Sequence, residues 1–178
     1  MSAKVVYPFP MDAGDNSTTV WLTPPEIIGQ LGPFVLDPCA AVGQPWRTAE
    51  FEYNVYDDGL VSPWFGLVWC NPPYGQGIEL WLDKCAEHGN ALALVYGRTD
   101  TAVFHRSVFP KAMAIFFLEG RLNFYNIKGE RAKTNGGAPS VLIAYGAVAT
   151  QRLAACKLKG TLIYLNTGIN NNQQSIAP

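Results

Sequence analysis

No stretch of this sequence stays apolar for long: the longest runs are about seven or eight residues, against the roughly 20 that a helix needs to cross a bilayer. The four cysteines, Cys39, Cys70, Cys85 and Cys156, form no Cys-x-x-Cys pair, and no basic-then-apolar signal segment opens the chain. These absences predict a soluble, cytoplasmic protein with reduced thiols and no membrane partner. Histidine is scarce too. His88 and His105 join no Cys/His cluster at ligand spacing, so no metal is expected. Only 15% of the residues are charged while 48% are hydrophobic, which excludes disorder over most of the length and leaves ample surface for a core. In 178 residues there is room for one compact domain and not for a second.

The net charge of −1 hides a split. Residues 1–97 carry three basic side chains against eleven acidic ones, whereas residues 98–178 carry ten basic against three acidic. A basic half is a possible nucleic-acid footprint, although two solvated faces would read the same. Arg98, Arg106, Lys111, Arg121, Lys128, Arg131 and Lys133 all fall within it, with Phe124 and Tyr125 nearby, which suits phosphate contact with some base stacking. Arg121, just after Gly120, is the first choice for a DNA contact, and the polar loop 126–139 is the best place for sequence readout.

Hydrophobic patterning predicts strands alternating with helices. Thr23-Pro24-Pro25-Glu26 reads as a helix start with Thr23 as N-cap and Glu26 closing a capping box, and Gly32-Pro33 ends that helix. Phe34 to Leu36 is a buried strand ending at Asp37, with a short strand possible over Phe51 to Tyr56. Gly66 to Cys70 is a second buried strand that runs into Asn71. A helix follows from Gly77 to His88, stopped by Gly89. Further strands are expected at Ala91 to Tyr96, Met113 to Leu118, Arg121 to Tyr125, Ser140 to Tyr145 and Thr161 to Leu165, with helices at Thr101 to Phe109 and Val148 to Lys157. The alternation implies an α/β domain over residues 20–166, with an N-terminal arm at 1–19 and a low-complexity, disordered tail at 167–178. Ligands of such sheets bind beyond the carboxyl ends of the strands, so Asp37 and Asn71 should lie on the same edge.

Asn71-Pro72-Pro73-Tyr74 is the most informative tetrapeptide. Two prolines fix φ and remove two backbone donors, leaving a stiff turn whose carbonyls regular pairing cannot consume. Asn71 adds a side-chain acceptor and Tyr74 a flat aromatic face. An exocyclic amine on a nucleobase is a poor nucleophile because its lone pair is delocalised into the ring. Accepting both N–H bonds, at the Asn71 side-chain oxygen and the Pro72 carbonyl, favours the pyramidal nitrogen that can attack a methyl sulfonium. The base would stack on Tyr74 after leaving the duplex. Pro-Pro-Tyr could instead be a surface turn or a docking ligand, but it abuts a strongly apolar strand.

Trp21-Leu22-Thr23-Pro24-Pro25, Leu36-Asp37-Pro38-Cys39-Ala40-Ala41, Asp58-Gly59-Leu60 with Trp64, and Trp69-Cys70-Asn71-Pro72-Pro73-Tyr74 occur in that order. In this the chain resembles the small phage-encoded DNA N6-adenine methyltransferases and, more loosely, DNA amino-methyltransferases at large. The likeness extends weakly to Arg98-Thr99-Asp100-Thr101 and Gly120-Arg121-Leu122-Asn123-Phe124. It implies a reduced Rossmann-like methyltransferase fold, a single mixed, mostly parallel sheet flanked by helices. It also implies S-adenosylmethionine as cofactor, adenine N6 in DNA as acceptor, and a place in the cytoplasm of a bacterial host. Asn71, Pro72, Pro73 and Tyr74 would form the catalytic loop. Asp37, Pro38, Cys39 and Ala40 would line the cofactor, Thr23 would bond its carboxylate and Asp58 would meet its adenosine. Arg98, Arg121, Lys128, Arg131 and Lys133 would contact DNA.

Two departures stand out. Only Gly43 follows Asp37 where the usual loop is glycine-rich, and the short span from Asp37 to Asn71 suggests that one strand and helix are reduced or missing. Cytosine N4, an RNA base and a protein glutamine amide remain alternative acceptors, and a noncatalytic DNA-binding relic of the fold is the reading from another class.

Overall fold

The computed structural model describes residues 20–133 and 137–165, so the expected arm and tail lie outside the described residues. In chain order the elements are α1 (Pro25–Leu31), β1 (Leu36–Asp37), β2 (Phe51–Glu52), β3 (Val68–Cys70), α2 (Ile78–His88) and β4 (Ala91–Tyr96). A π-helical turn (Phe104–Val108), β5 (Ala114–Leu118), β6 (Ser140–Tyr145), α3 (Ala147–Ala155) and β7 (Gly160–Tyr164) complete them. Seven strands form one sheet in the order β2-β1-β3-β4-β6-β5-β7. The pairings give β1 to β5 one direction and β6 and β7 the other, so the sheet is mixed, as expected, with three parallel pairings and three antiparallel ones rather than mostly parallel.

The near-continuous apolar strands follow from burial on both faces. Val68, Cys70, Ala93, Val95 and Ile143 pack toward α2 and the π-helical turn, while Trp69, Leu92, Leu94 and Leu142 pack with Ile27, Leu31 and Leu153 of α1 and α3. Between β1 and β3 only the two-residue β2 intervenes and no helix does, as the short spacing predicts. Gly89 ends α2 in the left-handed conformation, its N–H returned to the Cys85 carbonyl.

Three local expectations are corrected. Thr23 is not the cap of α1: Pro24 holds that position with no side-chain cap bond, and Thr23 is buried. Each residue before a proline is pushed toward extended backbone, and Leu22 is already paired with Tyr125 through N–H···O bonds of 2.8 and 3.1 Å, so the helix cannot begin earlier. Arg121 to Tyr125 is not a strand, because Leu22 and Arg131 each meet Tyr125 only as isolated bridges. The helix expected over Thr101 to Phe109 is widened into a π-helical turn, closed by Phe109 N–H on the Phe104 carbonyl, just before Pro110.

Candidate active site

Three strands end side by side. β1 closes on Asp37, β3 leads into Asn71 and β4 closes on Tyr96. The registers Leu36 to Val68 and Cys70 to Ala93 bring these ends to one edge, as expected for Asp37 and Asn71.

Asn71 donates from Nδ2 to the Trp21 carbonyl at 3.1 Å. Only the NH₂ end of an amide can donate to a carbonyl, so this bond fixes the orientation of the side chain. Its Oδ1 is left buried and without a partner. Tyr74 stacks on Tyr96 with ring centroids 4.4 Å apart and planes 22° off parallel. The Tyr74 hydroxyl is also buried and unpartnered, and burial raises its pKa, which keeps the phenol neutral. Ser140, directly across from Tyr96 on β6, contributes a third buried, unpartnered oxygen. Buried polar atoms are normally paired. Of the six such atoms among the described residues, these three belong to segments at this edge of the sheet, where a polar ligand could partner them.

The loop after β1 is organised from within. Asp37 Oδ1 accepts the Cys39 N–H at 3.0 Å and Oδ2 accepts the Thr48 hydroxyl. Thr48 N–H and Gln44 Nε2 both donate to Glu52 Oε1, at 2.8 and 2.9 Å, and Gln44 Oε1 accepts the Ala41 N–H. Asp37 thus shapes the loop with both oxygens. Burial pushes its pKa up to about 6, against the lowering effect of the Thr48 and Cys39 bonds. Cys39, half-buried, lies 3.9 Å from Cys70 Sγ to Sγ, and burial holds its thiol up at about 11, so both sulfurs are packing groups rather than nucleophiles.

The raised pKa of Asp37 has a consequence for stability. A carboxyl whose folded pKa exceeds its unfolded value of 3.8 favours the fold below that value, and the benefit is lost as pH rises through about 6. The loss is of order 3 kcal/mol, about two pKa units. Asp37→Asn carries no charge, so its thermal midpoint should rise relative to the native chain between pH 4 and pH 7. A constant gap across that range would refute the buried charge.

Asp58 sits at φ 49 and leads into Gly59, which presses on the Pro38 backbone. Lys84 from α2 pins this segment by donating from Nζ to the carbonyls of Gly59, Leu60 and Ser62 at 3.0, 2.8 and 2.7 Å. Trp64 Nε1 adds a 2.8 Å bond to Gly59, and the Lys84 ammonium lies 5.1 Å from the Trp64 ring centroid. The motif Asp58-Gly59-Leu60 with Trp64 is therefore a clamp that seats against the loop of Pro38.

Arg98, Arg121, Lys128, Arg131 and Lys133 are all exposed. Arg106 and Lys111 are committed elsewhere, to Glu79 at 2.9 Å and Asp83 at 2.7 Å on α2. Residues 124–132 form a small hairpin about a turn at Asn126 to Gly129, with Ala132 N–H on the Phe124 carbonyl. Tyr125 packs edge-on against Trp46 and pairs with Leu22, so the hairpin carrying Lys128 and Arg131 joins the segment whose Trp21 carbonyl holds Asn71.

Sequence reasoning overlooks Thr48, Glu52, Lys84 and Tyr96 as members of this edge. Tyr96 could have been found, since it closes an apolar strand just as Asp37 does; Glu52 ends a two-residue strand whose other member, Phe51, is exposed, and nothing marks Thr48 or Lys84. Among the described residues no group of three His, Cys, Asp or Glu side chains could hold a metal ion, and no helix is long and apolar enough to cross a membrane.

The family model for DNA N-6-adenine-methyltransferase (Dam) matches residues 12–160. No curated protein and no solved structure matches the chain. The match spans most of the sequence, and the chain belongs to the DNA N-6-adenine-methyltransferase family, a family of enzymes that methylate adenine in DNA.

Proposed function

We propose, with that membership as premise, that the chain transfers a methyl group from S-adenosylmethionine to adenine N6 in DNA through the loop Asn71-Pro72-Pro73-Tyr74. One observation carries the reading: the Asn71 amide is turned by Trp21 so that Oδ1 is a buried acceptor with no partner. The bound cofactor supplies an electrophilic methyl on a sulfonium. Asn71 Oδ1 and the Pro72 carbonyl take the two N–H bonds of the amine, which localises the nitrogen lone pair for the new N–C bond. Tyr74 offers its ring to the base. As the N–C bond forms the methyl–sulfur bond would break, and the proton that nitrogen must then shed would pass to solvent; no charged base is needed at the transition state, because positioned neutral acceptors bear the charge that develops on nitrogen.

The residues present fit the cofactor. Pro38, Cys39 and Ala40 bring a tight backbone loop to the end of β1, and Gly59 approaches Pro38 so closely that the clamp and loop make one wall. In this reading Asp58, within that clamp, would meet the adenosine, and Thr23, just before α1, would bond the carboxylate. Glu52 closes β2 opposite Asp37, where an acid meets ribose hydroxyls in related α/β sheets.

The test is label transfer from methyl-labelled cofactor to DNA, RNA and protein in parallel, followed by digestion to nucleosides. N6-methyladenine in DNA is expected. Label in cytosine, RNA or protein instead would replace the acceptor, and no label at all would leave only binding. The exposed cations are assigned to the DNA backbone. Arg121→Ala should weaken DNA binding and lower the salt slope by about one unit in log–log terms; an unchanged slope removes that contact.

A further inference from the structure

Tyr74 is stiff on one side only. Pro72 and Pro73 fix the chain before it, but Gly75 and Gly77 follow at φ 128 and 91, both exposed, and a Cβ built at either would touch nothing within 4 Å. The glycines therefore put no constraint of their own on the chain after Tyr74. The aromatic ring that its face meets is that of Tyr96.

Tyr96 is well placed for this. It closes β4, whose preceding five residues are all buried. The chain then doubles back: Arg98 N–H donates to the Tyr96 carbonyl at 2.9 Å and Gly97 N–H to the Pro139 carbonyl at 2.8 Å. A Cβ at Gly97 would come within 3.0 Å of Val141 Cγ1, so the turn sits close on β6. The turn brings the Arg98 guanidinium to 5.9 Å from the Tyr96 ring centroid. Arg98, expected from sequence to contact DNA, borders the same aromatic pair.

We propose that Tyr96 is a positioning residue for methyl transfer: its ring backs that of Tyr74, so that a base leaving the duplex meets an aromatic platform already built. This rests on the reading of Asn71 to Tyr74 given above. An extruded base has lost its stacking neighbours and gains most from a π face that needs no ordering when it arrives. Tyr96 does not touch the reacting atoms, and its effect passes through Tyr74.

The experiment compares Tyr96→Leu with Tyr96→Phe in the full chain. It measures kcat, the KM values for DNA and cofactor, the thermal midpoint, and the fluorescence of oligonucleotides carrying 2-aminopurine in place of adenine. Tyr96→Leu should lower kcat by about 10- to 100-fold, the order expected for a misplaced reacting group, and reduce the 2-aminopurine response, with cofactor KM and midpoint unchanged. Tyr96→Phe keeps the ring and should restore both readouts. Equal losses in the two variants, a cofactor KM rising in step with the fall in kcat, or a native-like Tyr96→Leu would each overturn the platform. A native chain that labels no DNA, yet shows a 2-aminopurine response that depends on the ring at position 96, would uphold the platform and refute the methyl transfer.

Discussion

Asn71→Ala is expected to cut methyl transfer by at least about 100-fold with cofactor affinity nearly unchanged, the order seen when one positioned electrostatic partner of a transition state is removed. The sharper test is Asn71→Asp. In the native chain Nδ2 faces the Trp21 carbonyl at 3.1 Å and Oδ1 is the spare acceptor. A carboxylate has no donor to offer Trp21, so one of its oxygens would be held against another oxygen. Losing that bond in a buried place costs about 1–3 kcal/mol, or roughly 5- to 150-fold. A charged acceptor would otherwise be expected to bind an amino group more strongly than an amide does. Single-turnover rates with labelled cofactor, beside cofactor affinity by calorimetry, separate the two cases. If Asn71→Asp equals or exceeds the native rate, Trp21 does not set the amide.

The same bond shows where sequence reading reaches its limit. Asn71 was legible, because an apolar strand runs straight into Asn-Pro-Pro-Tyr and the carboxyl ends of parallel strands meet ligands. Its orientation was not, since the partner is a backbone carbonyl 50 residues away and a carbonyl carries no sequence signature. Ser140 to Tyr145 was legible as a strand, but its place between β4 and β5 depends on a chain reversal that leaves no local mark. Arg121 to Tyr125 looked like a strand because its side chains suit one, yet a strand needs a neighbour over several residues and Tyr125 finds Leu22 alone on one side. Asp58-Gly59-Leu60 was matched by resemblance. Its physical purpose emerged only when Lys84 and Trp64 closed on it.

That purpose makes Gly59→Ala a severe test of the proposed cofactor wall. The new Cβ would lie 1.8 Å from the Pro38 carbonyl oxygen, 2.9 Å from its carbon and 3.1 Å from Trp81 Cη2. Backbone and a core indole cannot step aside as the tip of a flexible side chain could. Gly59 cannot retreat either, because its own carbonyl is held by Trp64 Nε1 and Lys84 Nζ. Either the clamp opens, breaking those bonds, or Pro38 moves and carries the loop after β1 with it. Overpacking of this kind costs about 1–3 kcal/mol and more where neither side yields. A lowered urea midpoint with weakened cofactor binding is therefore expected. Gly29→Ala makes the same chemical change at an exposed position of α1, where a Cβ meets nothing within 4 Å. There alanine should stabilise the helix by roughly 0.5–1 kcal/mol and leave cofactor binding untouched. If the two substitutions shift the urea midpoint in the same direction, the close contact between Gly59 and Pro38 is not what holds the loop after β1 in place.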